Sequence, residues 1–112
     1  MTRVDRDRLA TMMAVEERRF TEDHPKSAAL FERTRRSVHR GVPMPWMTQW
    51  ASPFPIFADS ARGARIRDVD GFEYIDFSLG DTGALFGHSA APIAEAVADQ
   101  AGRGITHMLP TE

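Results

Sequence analysis

Ala64–Phe77, A-R-I-R-D-V-D-G-F-E-Y-I-D-F, decides the architecture of this chain. Two short runs rich in Ile, Tyr and Phe flank Asp70-Gly71, a dipeptide suited to a tight turn because both positions tolerate positive φ. The stretch reads as a β-hairpin. A two-residue loop sets Ile66 opposite Ile75 and Ala64 opposite Phe77 on one side. The other side then pairs Arg65 with Asp76 and Arg67 with Tyr74, a charge pair and a cation–π contact. A three-residue loop with a bulge shifts that register.

Beyond the hairpin runs S-L-G-D-T-G-A-L-F-G-H-S, Ser78–Ser89, a loop with glycines at 80, 83 and 87. Such glycines mark a backbone that bends sharply or approaches something closely. Pro92 suits the first turn of a helix carrying Ile93, Val97 and Ala101 at helical spacing, ended by Gly102 and Gly104.

Before the hairpin, G-V-P-M-P-W-M-T-Q-W-A-S-P-F-P-I-F (Gly41–Phe57) holds four prolines, which exclude regular helix. Trp46, Met47, Trp50, Phe54 and Phe57 make it a strap that either lies against another part of a protein or fills this chain's own core. The first reading is preferred. The opening twenty residues read as an amphipathic helix with Leu9, Met12, Met13 and Phe20 near one face. His24-Pro25 breaks it. Ser27 is placed to cap a second helix reaching about His39, with Leu30, Phe31, Thr34 and Val38 inward. The expected class is α+β: N-terminal helices over 1–41, a Pro/Trp-rich strap over 42–57, then a small antiparallel sheet, loop and helix over 58–112.

At 112 residues and a formal charge of -2, the chain is one small domain at most, with no electrostatic bias toward nucleic acid. Arg33, Arg35 and Arg36 read as a solvated helix face. Lack of cysteine excludes disulfides and thiolate chemistry. The charged N-terminus is no secretory signal, and no apolar run is long enough to span a membrane. Cytoplasm is the default.

Asp81, Thr82 and His88 hold the residue types of a nucleophile, base and orienting carboxylate. Nothing in their spacing fixes a geometry, and a hydroxyl beside a carboxylate in a Gly-rich loop is ordinarily a turn-making device. The glycines match neither a dinucleotide fingerprint nor a phosphate loop. His24, His39, His88 and His107 lack metal-ligand spacing. Lys26, the single lysine, sits between a proline and the helix cap, where its amine is exposed. Composition and spacing thus give no catalytic, cofactor-binding or metal-binding residue.

Several pieces in order are more specific than any one. P-F-P-I-F, then A-R-G-A-R-I-R-D-V-D-G-F-E-Y-I-D-F, then G-D-T-G-A-L-F-G-H and a Pro-started helix resemble the class III aminotransferases, which use pyridoxal 5'-phosphate (PLP). The likeness is nearest to the glutamate-1-semialdehyde aminomutase-like branch and covers residues 27–112. Ser27 to Pro43 and the closing M-L-P-T-E also fit that branch. The resemblance implies the N-terminal segment of a PLP fold type I enzyme, a homodimer acting on an amino donor and a keto acceptor. It places Ser78, Gly80, Asp81, Thr82 and Gly83 on the substrate side of the pocket, with Thr111 and Glu112 close by. It also makes Trp46 the approximate counterpart of an arginine that binds the substrate carboxylate in the aminomutases, and Asp81 or an adjacent residue that of a pocket tryptophan. Both departures argue against glutamate-1-semialdehyde as substrate. The phosphate loop, the ring-stacking aromatic, the pyridinium-pairing aspartate and the Schiff-base lysine are expected downstream, in a large PLP-binding domain outside this chain. Alone, the chain is expected to be inactive and to expose an apolar patch around Trp46 and Trp50. The rivals are a stand-alone binding or assembly module and an Arg-rich nucleic-acid binder.

Overall fold

The structure, a computed structural model, describes residues 4–110. In chain order it has helices α1 (Arg6–Asp23) and α2 (Pro25–Thr34), 3₁₀ turns at His39–Gly41 and Pro45–Thr48, strands β1 (Ala58–Arg62), β2 (Arg65–Asp68) and β3 (Glu73–Ile75), and helix α3 (Ala91–Arg103). The strands form one sheet in the order β1-β2-β3, antiparallel between β2 and β3. The chain divides into two units, residues 1–59 with 68–72, and residues 60–67 with 73–112.

In the first unit, the Asp5 carboxylate accepts from the Asp7 and Arg8 amides at 3.1 and 3.0 Å and starts α1. Pro25 stops it at the residue before. Leu9, Met12 and Met13, the expected apolar stripe, are exposed, and α1 has no buried residue.

Helix α2 differs from expectation at both ends. Ser27 does not cap it from outside; it lies in the first turn, fully buried. The cap comes from the hairpin. The Asp70 carboxylate accepts from the Lys26 amide at 2.7 Å, the Ser27 amide at 3.0 Å and the Ser27 hydroxyl at 2.6 Å. Orphan amides of a helix N-terminus favour an anion whatever its position in sequence. Ser27 Oγ also accepts from the Phe57 amide at 3.2 Å, joining helix, hairpin tip and strap. Burial pushes the Asp70 carboxyl up. The Ser27 hydroxyl, the Lys26 and Ser27 amides and the charge of His24 outweigh it and hold the group below its ordinary value. At its other end α2 stops at Thr34, five residues short of His39. Thr34 Oγ1 donates to the Gly41 carbonyl at 2.7 Å, folding the chain back through the 3₁₀ turn.

The hairpin register differs by one residue from the two-residue-loop expectation. Arg65 pairs with Ile75, Ile66 with Tyr74 and Arg67 with Glu73. The cause is Asp68, whose Oδ1 accepts from the amides of Asp70, Gly71 and Phe72 at 3.0, 2.8 and 2.8 Å. That carboxylate gathers Val69, Asp70 and Gly71 into a three-residue loop, closed by the Asp68 amide on the Phe72 carbonyl at 3.0 Å. Gly71 takes φ 101, the left-handed position this turn requires. Ile66–Ile75, Ala64–Phe77, Arg65–Asp76 and Arg67–Tyr74 therefore do not pair, and Phe77 is 93% exposed.

Val42 and Pro55 are the buried apolar side chains among the described residues. Otherwise the first unit is held by polar groups: His24, Ser27 and Asp68 are all buried. His24 stacks on Phe20 at 4.3 Å and meets Phe72 at 4.9 Å. Its Nδ1 bonds the Phe20 carbonyl at 2.8 Å, so that nitrogen carries a proton. Its Nε2 lies 3.6 Å from Asp68 Oδ2. The strap does not fill a core: Trp46 and Trp50 are 45% and 59% exposed. Helix α3 starts at Ala91 with Pro92 in its first turn, as expected. Gly104, at φ 101, ends it, while Ile93 and Val97 face solvent. Among the described residues, no helix is long and apolar enough to cross a membrane, and no group of acidic and His side chains is arranged to hold a metal.

Candidate functional site

The second unit carries the loop singled out by its glycines. Its base is clamped by backbone. Gly63 and His88 exchange amide and carbonyl at 2.9 and 2.8 Å, an antiparallel bridge between the β1–β2 turn and the far end of the loop. Gly87 has φ 87, and a Cβ there would lie 3.1 Å from the Gly63 Cα. Only glycine lets the two backbones approach so closely. Ser89 Oγ adds a bond to the Ala61 carbonyl at 2.8 Å.

The side chain of Asp76 ties the two ends of the loop together. Its Oδ1 accepts from the amides of Ser78 and Leu79, both at 2.9 Å, and its Oδ2 accepts from His88 Nε2 at 2.7 Å. The bond from His88, foremost, and those from the Leu79 and Ser78 amides hold the Asp76 carboxyl below its ordinary value against some desolvation. His88 thus pairs with Asp76 rather than Asp81, and no Asp81–Thr82–His88 triad is assembled.

Between these anchors the chain runs left-handed for four residues: Leu79 (φ 48), Gly80 (φ 61), Asp81 (φ 51) and Thr82 (φ 86). The left-handed region costs a non-glycine residue about 1–2 kcal/mol, and a β-branched Thr is an outlier there. The turn is closed by the Ala84 amide on the Leu79 carbonyl at 2.9 Å and by the Gly83 amide on the Gly80 carbonyl at 3.0 Å. Ser78, Gly80, Asp81, Thr82 and Gly83 are all exposed. One continuous loop therefore holds five of the six residues expected to meet substrate. Trp46 belongs to the first unit, where its Nε1 donates to Met44 Sδ at 3.2 Å and its ring lies 5.7 Å from that of Trp50. Thr111 and Glu112 lie outside the described residues.

Lys26 is exposed on the first turn of α2 with its amide bound to Asp70, and nothing encloses its amine. Asp76 was not weighed as a site residue from sequence, although the signal was present: Y-x-D ahead of a Gly-rich loop that ends in G-H.

Scanned against models of protein families, the chain matches none. Individual relatives are clear. The chain is 41% identical over 86 residues to a glutamate-1-semialdehyde 2,1-aminomutase of Cenarchaeum symbiosum, a match covering 77% of this chain and 20% of that protein. Among solved structures it is similar to a glutamate-1-semialdehyde aminomutase from Pseudomonas aeruginosa PAO1. The TM-score is 0.85 and the identity 47%, over 96% of this chain and 24% of that one. Over nearly its whole length this chain is thus similar to the N-terminal part of larger aminomutases. A variant of the Pseudomonas enzyme has been solved in complex with PMP. A β-phenylalanine aminotransferase from Variovorax paradoxus matches over 92% of this chain and 24% of its own, at a TM-score of 0.79 and 30% identity. The helices and small sheet match the N-terminal part of these solved structures. The chain spans about a fifth of the length of the curated relatives it matches.

Proposed function

We propose that the chain is the pocket-shaping N-terminal part of a PLP-dependent aminotransferase, inactive by itself. The whole protein would move an amino group between an amino acid or amine and a keto acid or aldehyde. The observation that carries this reading is 47% identity to an aminomutase over nearly the whole chain. When bound, PLP supplies the electron sink for that transfer. Its anchoring belongs to the rest of the protein, since Lys26 is no candidate.

In this reading residues 1–41 are the N-terminal helices, 42–57 the strap, and 58–112 the sheet, pocket loop and helix. Ser78, Gly80, Asp81, Thr82 and Gly83 line the substrate side of the pocket, with Trp46 contributed by the strap. The Asp81 carboxylate and Thr82 hydroxyl take no partner among the described residues and so are free to meet a substrate. An unpaired carboxylate favours a cationic or hydroxylated substrate group and disfavours an anionic one. Trp46, Trp50 and the apolar stripes of α1 and α3 would be covered by the large domain or by a second subunit of a homodimer. A cytoplasmic setting goes with this reading. It is favoured over a stand-alone assembly module because the relatives are enzymes and Val42 and Pro55, the buried apolar side chains among the described residues, are a poor core for an independent domain.

The test is to purify the full-length product of the gene encoding this chain, record its absorbance for bound PLP, and assay a panel of amines and amino acids against keto acids. Cofactor absorbance with amino transfer supports the reading; a full-length protein with neither overturns it. Asp81→Ala should then change the substrate profile, and an unchanged profile removes Asp81 from the pocket.

A further inference from the structure

The left-handed run Leu79–Thr82 is unfavourable on its own, and the side chains of Asp81 and Thr82, without a partner among the described residues, do nothing to hold it. Something outside the run must. Asp76 makes three hydrogen bonds from one carboxylate, two to the first amides of the loop and one to the imidazole at its far end. The first two fix the Ser78 and Leu79 peptides, and this leaves the Leu79 carbonyl aimed at the Ala84 amide that closes the turn. The third ties loop entry to loop exit beside the Gly63–His88 bridge. The Asp76 and His88 side chains are only 10% and 21% exposed, so water competes poorly for these bonds.

We propose that Asp76 and His88 are positioning residues, a clamp that holds the Ser78–Gly83 loop in its left-handed form and so presents Asp81 and Thr82 outward. The clamp is a statement about loop shape; its consequence for substrate rests on the pocket reading above.

Hydrogen exchange in the full-length protein tests it. The reporters are the Gly83 and Ala84 amides, which Asp76 does not touch. Asp76→Ala should speed their exchange by about tenfold or more, equivalent to ~1.4 kcal/mol, while amides within α2 keep their protection. Asp76→Asn, which keeps an acceptor for Ser78 and Leu79, should give a smaller change, and His88→Gln, which keeps a donor for Asp76, a smaller one than His88→Ala. Unchanged Gly83 and Ala84 exchange in folded Asp76→Ala overturns the proposal. Should Asp76→Ala fail to fold, with α2 also unprotected, unchanged loop exchange in both Asp76→Asn and His88→Ala overturns it equally. The pocket reading is scored separately. A loosened loop with an unaltered KM supports the clamp and counts against the loop as a substrate surface.

Discussion

The hairpin tip and the Gly-rich loop, the proposed pocket loop, are each gathered by an aspartate that accepts consecutive backbone amides, yet they end in opposite states. At the tip, Asp68 is buried beside His24, and the loop it shapes carries Asp70 onto the N-terminus of α2. No buried side-chain polar atom there lacks a partner, and the tip is fastened to α2. At the pocket loop, Asp76 anchors only the base, and the residues beyond it are exposed in left-handed backbone. The same device fastens a loop to another element in one place and leaves it facing outward in the other. What separates them is whether the gathered loop lands on another element or is left facing outward.

Breaking the tip should have the largest effect. Asp68→Ala removes the acceptor of three amides and the carboxylate beside buried His24, and should cost about 3 kcal/mol in urea unfolding of the full-length protein. A loss under about 1 kcal/mol would mean that the tip is only loosely fastened. Next comes the base of the pocket loop. Gly87→Ala forces a Cβ against Gly63 at positive φ and should cost about 2 kcal/mol, with faster exchange of the Gly63 and His88 amides. A neutral Gly87→Ala would show that the close approach is dispensable. Asp70→Ala strips the cap from α2 and should cost about 1 kcal/mol, read as faster exchange at Lys26 and Ser27 with α1 unchanged.

Acid probes both regions together. The Asp70 and Asp76 carboxyls titrate below their ordinary value in the folded protein, so the unfolded chain binds protons first as pH falls. Their contribution is complete above the ordinary aspartate range and is lost as pH drops through the lowered folded values. Stability should therefore decline on the acid side, and Asp70→Asn with Asp76→Asn should flatten that limb. An unchanged slope would detach both carboxyls from folding. The smallest effect is expected at Trp50→Ser in the isolated chain. Its 59% exposure predicts a stability change within about 0.5 kcal/mol, together with weaker binding of a hydrophobic dye. Equal dye binding would show that the strap is not the sticky surface.

Much of the fold was legible because it rests on local chemistry. His24-Pro25 marks the break after α1, Pro92 marks a helix start, four prolines keep the strap irregular, and Asp70-Gly71 marks a hairpin between apolar runs. The hairpin register was not legible. Asx-type gathering by Asp68 competes with the two-residue turn, and both fit D-V-D-G. Nor was the α2 cap, which comes from 43 residues away, or the early end of α2, set by Thr34 reaching Gly41. For the candidate loop, its glycines and closing G-H stood out in sequence, but its true anchor, Asp76, read as an ordinary hairpin residue.

The sequence by itself determined the order and kind of elements and, through the run from Pro53 to His88, the resemblance to the aminomutases. Such signals depend on a few neighbouring residues and survive in one dimension. Only the tertiary structure decided which carboxylate serves which amides: Asp68 its own turn, Asp70 the start of α2, Asp76 both ends of the pocket loop. A hydrogen bond needs its partners within about 3 Å and well aligned, and which distant groups meet those terms is set by how the chain folds back on itself.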